Sequence, residues 1–318
     1  MAKRLFTAAS NFFHNTLRRD HDMATLAVDI GGTSLKAGIF ENGELIDQKE
    51  FDHAGKDGAE FLLSALFAAI EELSAGREIR SIGLSVSGQI DPKNGIVLFA
   101  TNAIPGFTGT PIRQIVEDAT HLPVYVDNDV NCAALGEAMY GAGRDCSDFL
   151  CVTYGTGVGG AIIIDRKIWS GLSGVAGELG HMVLFAGGEP CVCGRRGCYE
   201  RYAATTALIR QVKARTGLSL NGRQIFERFD QPEIREEIDL WIDRIAEGLI
   251  SLLHIFNPTA LILGGGVLKQ DYVFKEIQGR VKERALPQFR KTDIRRASLG
   301  NSAGMYGAYS LTCQDKGA

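Results

Sequence analysis

The stretch Val28–Phe40, "VDIGGTSLKAGIF", decides how the rest of the chain is read. It opens as an apolar strand, breaks at Gly31 and Gly32 with Thr33 behind them, and returns as a second apolar strand. Glycines at such a turn leave backbone N–H groups open, and a threonine hydroxyl adds a donor, a combination that can hold phosphate oxygens. Asp29 places a carboxylate beside the turn, suited to Mg²⁺ or its water shell. The plainer account is a tight hairpin that needs glycine only for positive φ. An echo 124 residues downstream weighs against it: Val152–Ile164, "VTYGTGVGGAIII", repeats the order of apolar strand, Gly/Thr turn and apolar strand. Strand–helix segments follow each copy. Two matching hairpins predict two related lobes facing one cleft, in an α/β fold. A third glycine-rich strand end puts Gly264, Gly265 and Gly266 after an apolar run. Neither the Walker lysine pattern nor the spaced dinucleotide fingerprint fits any of the three.

The bulk numbers agree with two lobes. A chain of 318 residues is long for one core, and 45% hydrophobic with 23% charged residues is ordinary for a globular protein. Thirty-eight acids against 34 bases give a formal charge of −4, with the signs well mixed, so there is no electrostatic footprint for nucleic acid. No apolar run approaches the roughly 20 residues that span a bilayer, which argues against a membrane partner. Residues 1–22 are basic, acid-free until Asp20, and lack the apolar run of a secretory signal. They read as an extension outside the fold, with Met23 opening the first strand. Seven cysteines without such a signal point to reduced thiols in the cytoplasm.

Along the chain, strands are expected over 25–30, 35–40, 45–51, 82–86 and 124–129, over both arms of 149–165, and before Gly264. A helix over about 56–75 carries Phe61, Leu62, Leu66, Ile70 and Leu73 on one broad face. The longest helix, 232–256, has Ile234, Ile238, Trp241, Ile245, Leu249, Leu252 and Phe256 at helical spacing. "SAGMYGAYSLT" forms a last helix.

"VDNDVN" ends a strand on Asp127, Asn128 and Asp129 just before a helix, where open α/β sheets place ligands. Asp129 or Asn128 would serve there as an ordinary helix cap. A carboxylate at such a strand end can instead take a proton from a substrate hydroxyl, as the base in phosphoryl transfer does. The stretch "ELGHMVLFAGGEPCVCGRRGCYE", 178–200, sets His181 ten residues ahead of a C-x-C-G-x-x-G-C cluster of Cys191, Cys193 and Cys198. Metal site, redox switch, disulfide knot and plain glycine loop all compete for it. Its glycines let three sulfurs converge, and three thiolates with one imidazole make a set that Zn²⁺ accepts tetrahedrally. A redox pair fits less well, since that chemistry uses C-x-x-C at a helix start. A closed Cys₃His site is structural, because it leaves no open position for water.

Taken together and in this order, "DIGGTSLKAG", "VDNDVN", "GTGVGG", "GELGH", "CVCGRRGCYE" and "LGGGV" resemble the motifs of ROK proteins (repressors, open reading frames and sugar kinases). The resemblance covers residues 24–312. It implies the two-lobed actin-like, ribonuclease-H-like fold, with ATP and a hexose in the interlobe cleft. The expected lobes are 23–128 plus 302–318 and 129–301, the second carrying the zinc loop. By the same resemblance Asp129 is the general base, while Gly88, Thr101, Asn102, Asn128, Glu178, His181 and Glu200 bind the sugar. Asp29, Gly31, Gly32, Thr33 and Lys36 form the first phosphate hairpin. Thr153, Gly155, Thr156 and Gly157 form the second, with Gly264 to Gly266 on the nucleotide side. His181, Cys191, Cys193 and Cys198 match the family's zinc ligands. The implied cofactors are ATP, Mg²⁺ and structural Zn²⁺, and the implied assembly is a homodimer or a higher homo-oligomer. Glucose is the first expected substrate and N-acetylmannosamine or N-acetylglucosamine the alternative. A non-catalytic sugar-sensing regulator is the rival from another class. Repressors of the family carry a helix-turn-helix module of about 60–80 residues, which the 22 residues before Met23 are too few to supply.

Overall fold

The computed structural model describes residues 24–32, 34–52, 58–100 and 104–314. Thr33, Thr101, Asn102 and the extension 1–22, on which expectations were placed, lie outside the described residues. The chain divides into two compact units, Met1–Gly136 with Ser302–Ala318, and Glu137–Asn301. The division falls inside a helix rather than at the strand end where the sequence reading drew it.

In the first unit β1 (Ala24–Ile30), β2 (Ser34–Glu41), β3 (Glu44–Asp52), β4 (Ile79–Val86) and β7 (Val124–Asn128) form a five-stranded sheet in the order β3-β2-β1-β4-β7. The two hairpin pairings are antiparallel, and β1–β4 and β4–β7 are parallel. β1 sits at the centre, buried almost throughout, which is why it reads as an unbroken apolar run. A small separate ribbon joins β5 (Gln89–Asp91) to β6 (Ile96–Phe99) across the "PKNG" turn.

Helix α1 (Ala59–Ser74) buries Leu62, Leu66, Ala69, Ile70 and Leu73 against this sheet. Phe61, expected on the same face, is 60% exposed. One residue is about 100° of helical rotation, so Phe61 falls off the edge of a stripe centred on Leu62 and Leu66. Helix α2 (Ile112–Thr120) precedes β7, and α3 (Asp129–Tyr140) starts directly from its end.

The second unit repeats the pattern. Strands β8 (Phe149–Tyr154), β9 (Val158–Ile164), β10 (Lys167–Ile168), β11 (Ala260–Gly264) and β12 (Asp293–Arg296) run in the order β10-β9-β8-β11-β12. Again the hairpin pairs are antiparallel and the crossover pairs parallel. The internal echo seen in two hairpins therefore extends to both whole sheets. Helices α4 (Glu200–Ala203), α5 (Thr205–Thr216), α6 (Gly222–Phe226), α7 (Pro232–Phe256) and α8 (Asp271–Arg284) cover this sheet. α7 buries Ile234, Ile238, Trp241, Ile245, Leu249 and Leu252, with Phe256 half-buried at its end. Each such side chain contributes roughly 1.5–3 kcal/mol when fully buried. The Trp241 indole N–H donates to the Ala203 carbonyl at 2.9 Å, so this large ring leaves no unpaired donor in the core. Helix α9 (Ala303–Gln314) closes the chain within the first unit.

Candidate functional site

In the first unit two strand ends, those of β1 and β7, carry the acids. Asp29, next to last in β1, accepts a hydrogen bond from the Ser85 hydroxyl of β4 at 2.6 Å. Its register partner across the hairpin is Lys36. Burial raises the Asp29 carboxyl above its usual range, and Ser85 and the Lys36 charge work against the rise. Helix α9 approaches so closely that a side chain at Gly304 would meet the Asp29 carboxylate, its Cβ lying 2.4 Å from Oδ1.

At the end of β7 the ordinary and the chemical readings are both realised, on different residues. Asn128 caps α3: its Oδ1 accepts from the N–H of Val130 at 2.8 Å and of Asn131 at 3.2 Å. Its Nδ2 donates to the Gly88 carbonyl at 2.7 Å and to Asp129 Oδ1 at 2.9 Å, so all of its hydrogen-bonding capacity is used. Gly88 has φ +119°, and a Cβ there would lie 2.5 Å from the Phe99 carbonyl, so only glycine brings that carbonyl to Asn128 without strain. Asp127 is buried and accepts from Asn131 Nδ2 at 2.8 Å and from the Asn128 N–H at 2.7 Å.

With Asn128 as the cap, Asp129 shares only the Val130 N–H, which its Oδ1 accepts at 2.9 Å. Burial pushes its carboxyl up to about 6 and the Asp29 charge adds to the rise, while hydrogen bonds from the Val130 N–H, Ser87 and Asn128 hold it back. A carboxylate poised near neutrality is what general-base chemistry requires. Ser85, Ser87 and Asn131 were not singled out from the sequence. Their only signal was a position at a strand end or one helical turn into α3.

In the second unit the glycine hairpin β8–β9 closes with the Gly155 N–H donating to the Gly157 carbonyl at 3.0 Å. Its tip is tied to α5, where the Thr205 N–H donates to the Gly155 carbonyl and the Thr206 hydroxyl to that of Thr156. Gly264 packs on Thr153, and Gly265, at φ +113°, lies so near β8 that a Cβ would sit 2.1 Å from the Tyr154 carbonyl. Thr153, Gly155, Thr156 and Gly264 to Gly266 are thus brought to one end of this sheet. Beside them opens a cavity of about 580 Å³, whose lining includes Gly155, Thr156 and Gly266 as well as the apolar Ile209, Phe226 and Val267.

The cysteine loop adjoins this hairpin, since a Cβ on Gly157 would lie 2.8 Å from Glu200 Oε2. His181 Nδ1 lies 3.6 Å from Cys191 Sγ, and Cys193 Sγ lies 3.5 Å from Cys198 Sγ. All four ligand atoms fall within 4.8 Å of one another. A tetrahedral zinc with bonds of about 2.3 Å has ligand atoms about 3.7 Å apart, so the set fits. The Cys193–Cys198 separation is far longer than the roughly 2.0 Å of a disulfide, and every cysteine is free. Nδ1 of His181 turns to the sulfurs, and Nε2 lies 3.8 Å from Glu178 Oε2. Glu200 Oε1 accepts from Cys191 Sγ at 3.1 Å. Glu178, His181 and Glu200 are therefore gathered around one cluster. Tyr199, buried beside Cys198, anchors the loop by donating to the Ile245 carbonyl at 2.9 Å and pairing with the Tyr154 hydroxyl at 2.8 Å.

Two units with one strand order, glycine hairpins on their central strands and acids at the strand ends of the first define an actin-like, ribonuclease-H-like protein. The ROK family model matches residues 25–315, and the chain belongs to that family. It is 32% identical over 316 residues to a glucokinase of Halalkalibacterium halodurans, covering 92% of this chain and 95% of that protein. It is 34% identical over 294 residues to a beta-glucoside kinase of Listeria monocytogenes, covering 90% and 96%. Among solved structures, a ROK family glucokinase of Streptomyces griseus in complex with glucose and AMPPNP superposes with a TM-score of 0.80 at 33% identity, covering 92% of this chain and 99% of that one.

Proposed function

We propose that this chain is an ATP-dependent hexose kinase, transferring the γ-phosphoryl group of ATP to the 6-hydroxyl of a hexose, with glucose as the first substrate. The observation that carries this reading is Asp129: a strand-end carboxylate that shares only the Val130 N–H with the cap Asn128 and is raised to about 6. The glucokinase relatives, and the Streptomyces griseus structure with glucose and AMPPNP, supply the substrate class.

In this reading Asp129 accepts the proton of the sugar hydroxyl as the oxygen attacks phosphorus. Asn128, Ser87 and the Val130 N–H fix the direction of its carboxylate. The hairpin residues Gly31, Gly32 and Lys36, and Gly155, Thr156 and Gly157, supply donors to the phosphates; Asp29 is placed to hold the hydration shell of Mg²⁺. The magnesium ion would neutralise phosphate charge, as in phosphoryl transfer generally. The apolar wall of the 580 Å³ cavity suits a nucleobase, next to the glycines of Gly264 to Gly266. Glu178, His181 and Glu200 contact the sugar. Zinc on His181 Nδ1 and the three thiolates would fold the glycine loop, leaving the His181 Nε2–H free to donate to a sugar hydroxyl. We further place the protein in the cytoplasm, on the ground of its free thiols, and take its assembly to be a homodimer.

A panel of glucose, mannose, allose, N-acetylglucosamine, N-acetylmannosamine and a β-glucoside with MgATP, followed by coupled ADP release, tests the reading. Turnover is expected with at least one, and first with glucose. Sugar binding with no ADP release from any of them would leave the regulator reading in its place. Discrimination among epimers rests on single hydrogen bonds and room near C2.

A further inference from the structure

The second unit holds three half-buried arginines that no ion pair among the described residues uses: Arg201 on α4, Arg210 on α5 and Arg244 on α7. They lie together. Arg210 Nη2 donates to the Arg201 carbonyl at 2.6 Å, and the Arg244 guanidinium stands 6.0 Å from the ring centroid of Tyr202. Arg201 Nε and Arg244 Nη1 are shut off from solvent without any hydrogen-bond partner. Burial, and after it the charge of Arg201, holds the Arg210 guanidinium below its usual range; Glu189 and Tyr202 oppose this, and Arg244 adds to it.

Where α8 packs on α7 the cations are matched. Arg280 of α8 meets Asp239, Asp243 and Glu276, and Arg284 meets Asp243 and Glu247. The acids of α7 nearest in sequence to Arg244 are thus already engaged. Like charges gathered and partly dried, with buried donors unanswered, are uncommon in a finished interior and usual where an anion completes the arrangement.

We propose that Arg201, Arg210 and Arg244 form a binding site for a phosphate group, carried either by inorganic phosphate or by a phosphate ester. Guanidinium donors are planar forks that match phosphate oxygens, and three of them suit a dianion. The site stands behind the cysteine loop. Arg201 follows Glu200, and the Tyr202 hydroxyl accepts the Glu189 N–H at 2.7 Å while its ring packs edge-on against Phe185 at 4.7 Å. An anion there draws α4, α5 and α7 together under the segment that carries Glu200.

The test is thermal melting of the full chain in phosphate-free buffer, titrated with inorganic phosphate in one arm and a hexose 6-phosphate in the other, for the native protein, Arg210→Gln and Arg244→Gln. Without phosphate the variants are expected to melt at or above the native temperature, because repulsion is relieved. With millimolar phosphate the native Tm rises and the variants lose most of that rise. The arm with the larger rise identifies the carrier. Arg201→Gln serves as the third variant should either of the others fail to fold. An equal rise in native and variant proteins would overturn the proposal, since the phosphate would then be bound elsewhere. So would variants that fall to a smaller species in light scattering, which would assign the arginines to acids of a second copy.

Discussion

The two sheets share one order of strands and differ in what stands at their strand ends. In the first unit those ends carry Asp29, Asp127 and Asp129, with Ser85 and Ser87 to tune them. In the second, β8 and β11 carry Thr153, Gly264 and Gly265, all without charge, and β12 ends on Arg296, which is engaged by Asp271. One scaffold thus holds titrating chemistry at one site and bare backbone donors at the other. Strand order alone assigns neither role. Nor does burial of an acid: Glu137, on the same helix as Asp129, is fully buried and accepts from the N–H groups of Ala142, Ser298 and Leu299 at 2.7–2.8 Å. Its carboxylate is saturated with donors and does structural work, whereas Asp129 sits beside a second acid with its proton affinity raised.

The comparison breaks most sharply at Asp129. Asp129→Asn keeps the shape and removes the base, so kcat is expected to fall by about 10²–10⁴-fold while glucose binding by calorimetry persists. In the second unit the largest effect belongs to the loop rather than the hairpin. Metal analysis should find about one zinc per chain, and Cys198→Ser should lose it, weaken sugar binding about 10–100-fold and lower Tm. Full stability and sugar affinity in a zinc-free preparation would refute that role. A smaller effect is expected at Gly265→Ala. A Cβ at φ +113°, 2.1 Å from a carbonyl, costs on the order of 1–3 kcal/mol and should raise the KM for ATP more than that for sugar.

Much of this was legible in the sequence because it is local. Each glycine hairpin, the strand-end acids and the C-x-C-G-x-x-G-C loop lie within a dozen or two consecutive residues, where spacing alone brings groups together. What failed to show depends on distant chain segments. Ser85 and Ser87 reach Asp29 and Asp129 only because β4 lies between β1 and β7. In the sequence Asn128 and Asp129 are equivalent cap candidates, and only coordinates show that Asn128 takes the N–H groups of both Val130 and Asn131 while Asp129 shares that of Val130 alone. Phe61 was assigned to the core from a face drawn too broadly. Short elements such as β10 and β12, and α2, α5 and α8 with their modest apolar faces, owe their form to packing against the sheets rather than to a pattern of their own.

The smallest expected effect is a shift in a pH profile, and it tests the central claim most directly. If Asp129 is the base, raised first by burial and then by the Asp29 charge, kcat/KM for glucose must fall tenfold per unit as pH drops below about 6, because the carboxylate is then protonated. The sign carries over to stability. The folded state binds this proton more tightly than the unfolded chain, so Asp129 costs stability as pH rises from 4 toward 6, and Asp129→Asn should melt higher than the native protein at pH 8 but not at pH 4. Removing one source of the rise, in Asp29→Asn, should move the acidic limb of whatever activity remains toward lower pH. A limb near 6 that moves down in Asp29→Asn is the predicted result. A limb near 4 in the native enzyme, or one that stays in place when the Asp29 charge is removed, would contradict the account.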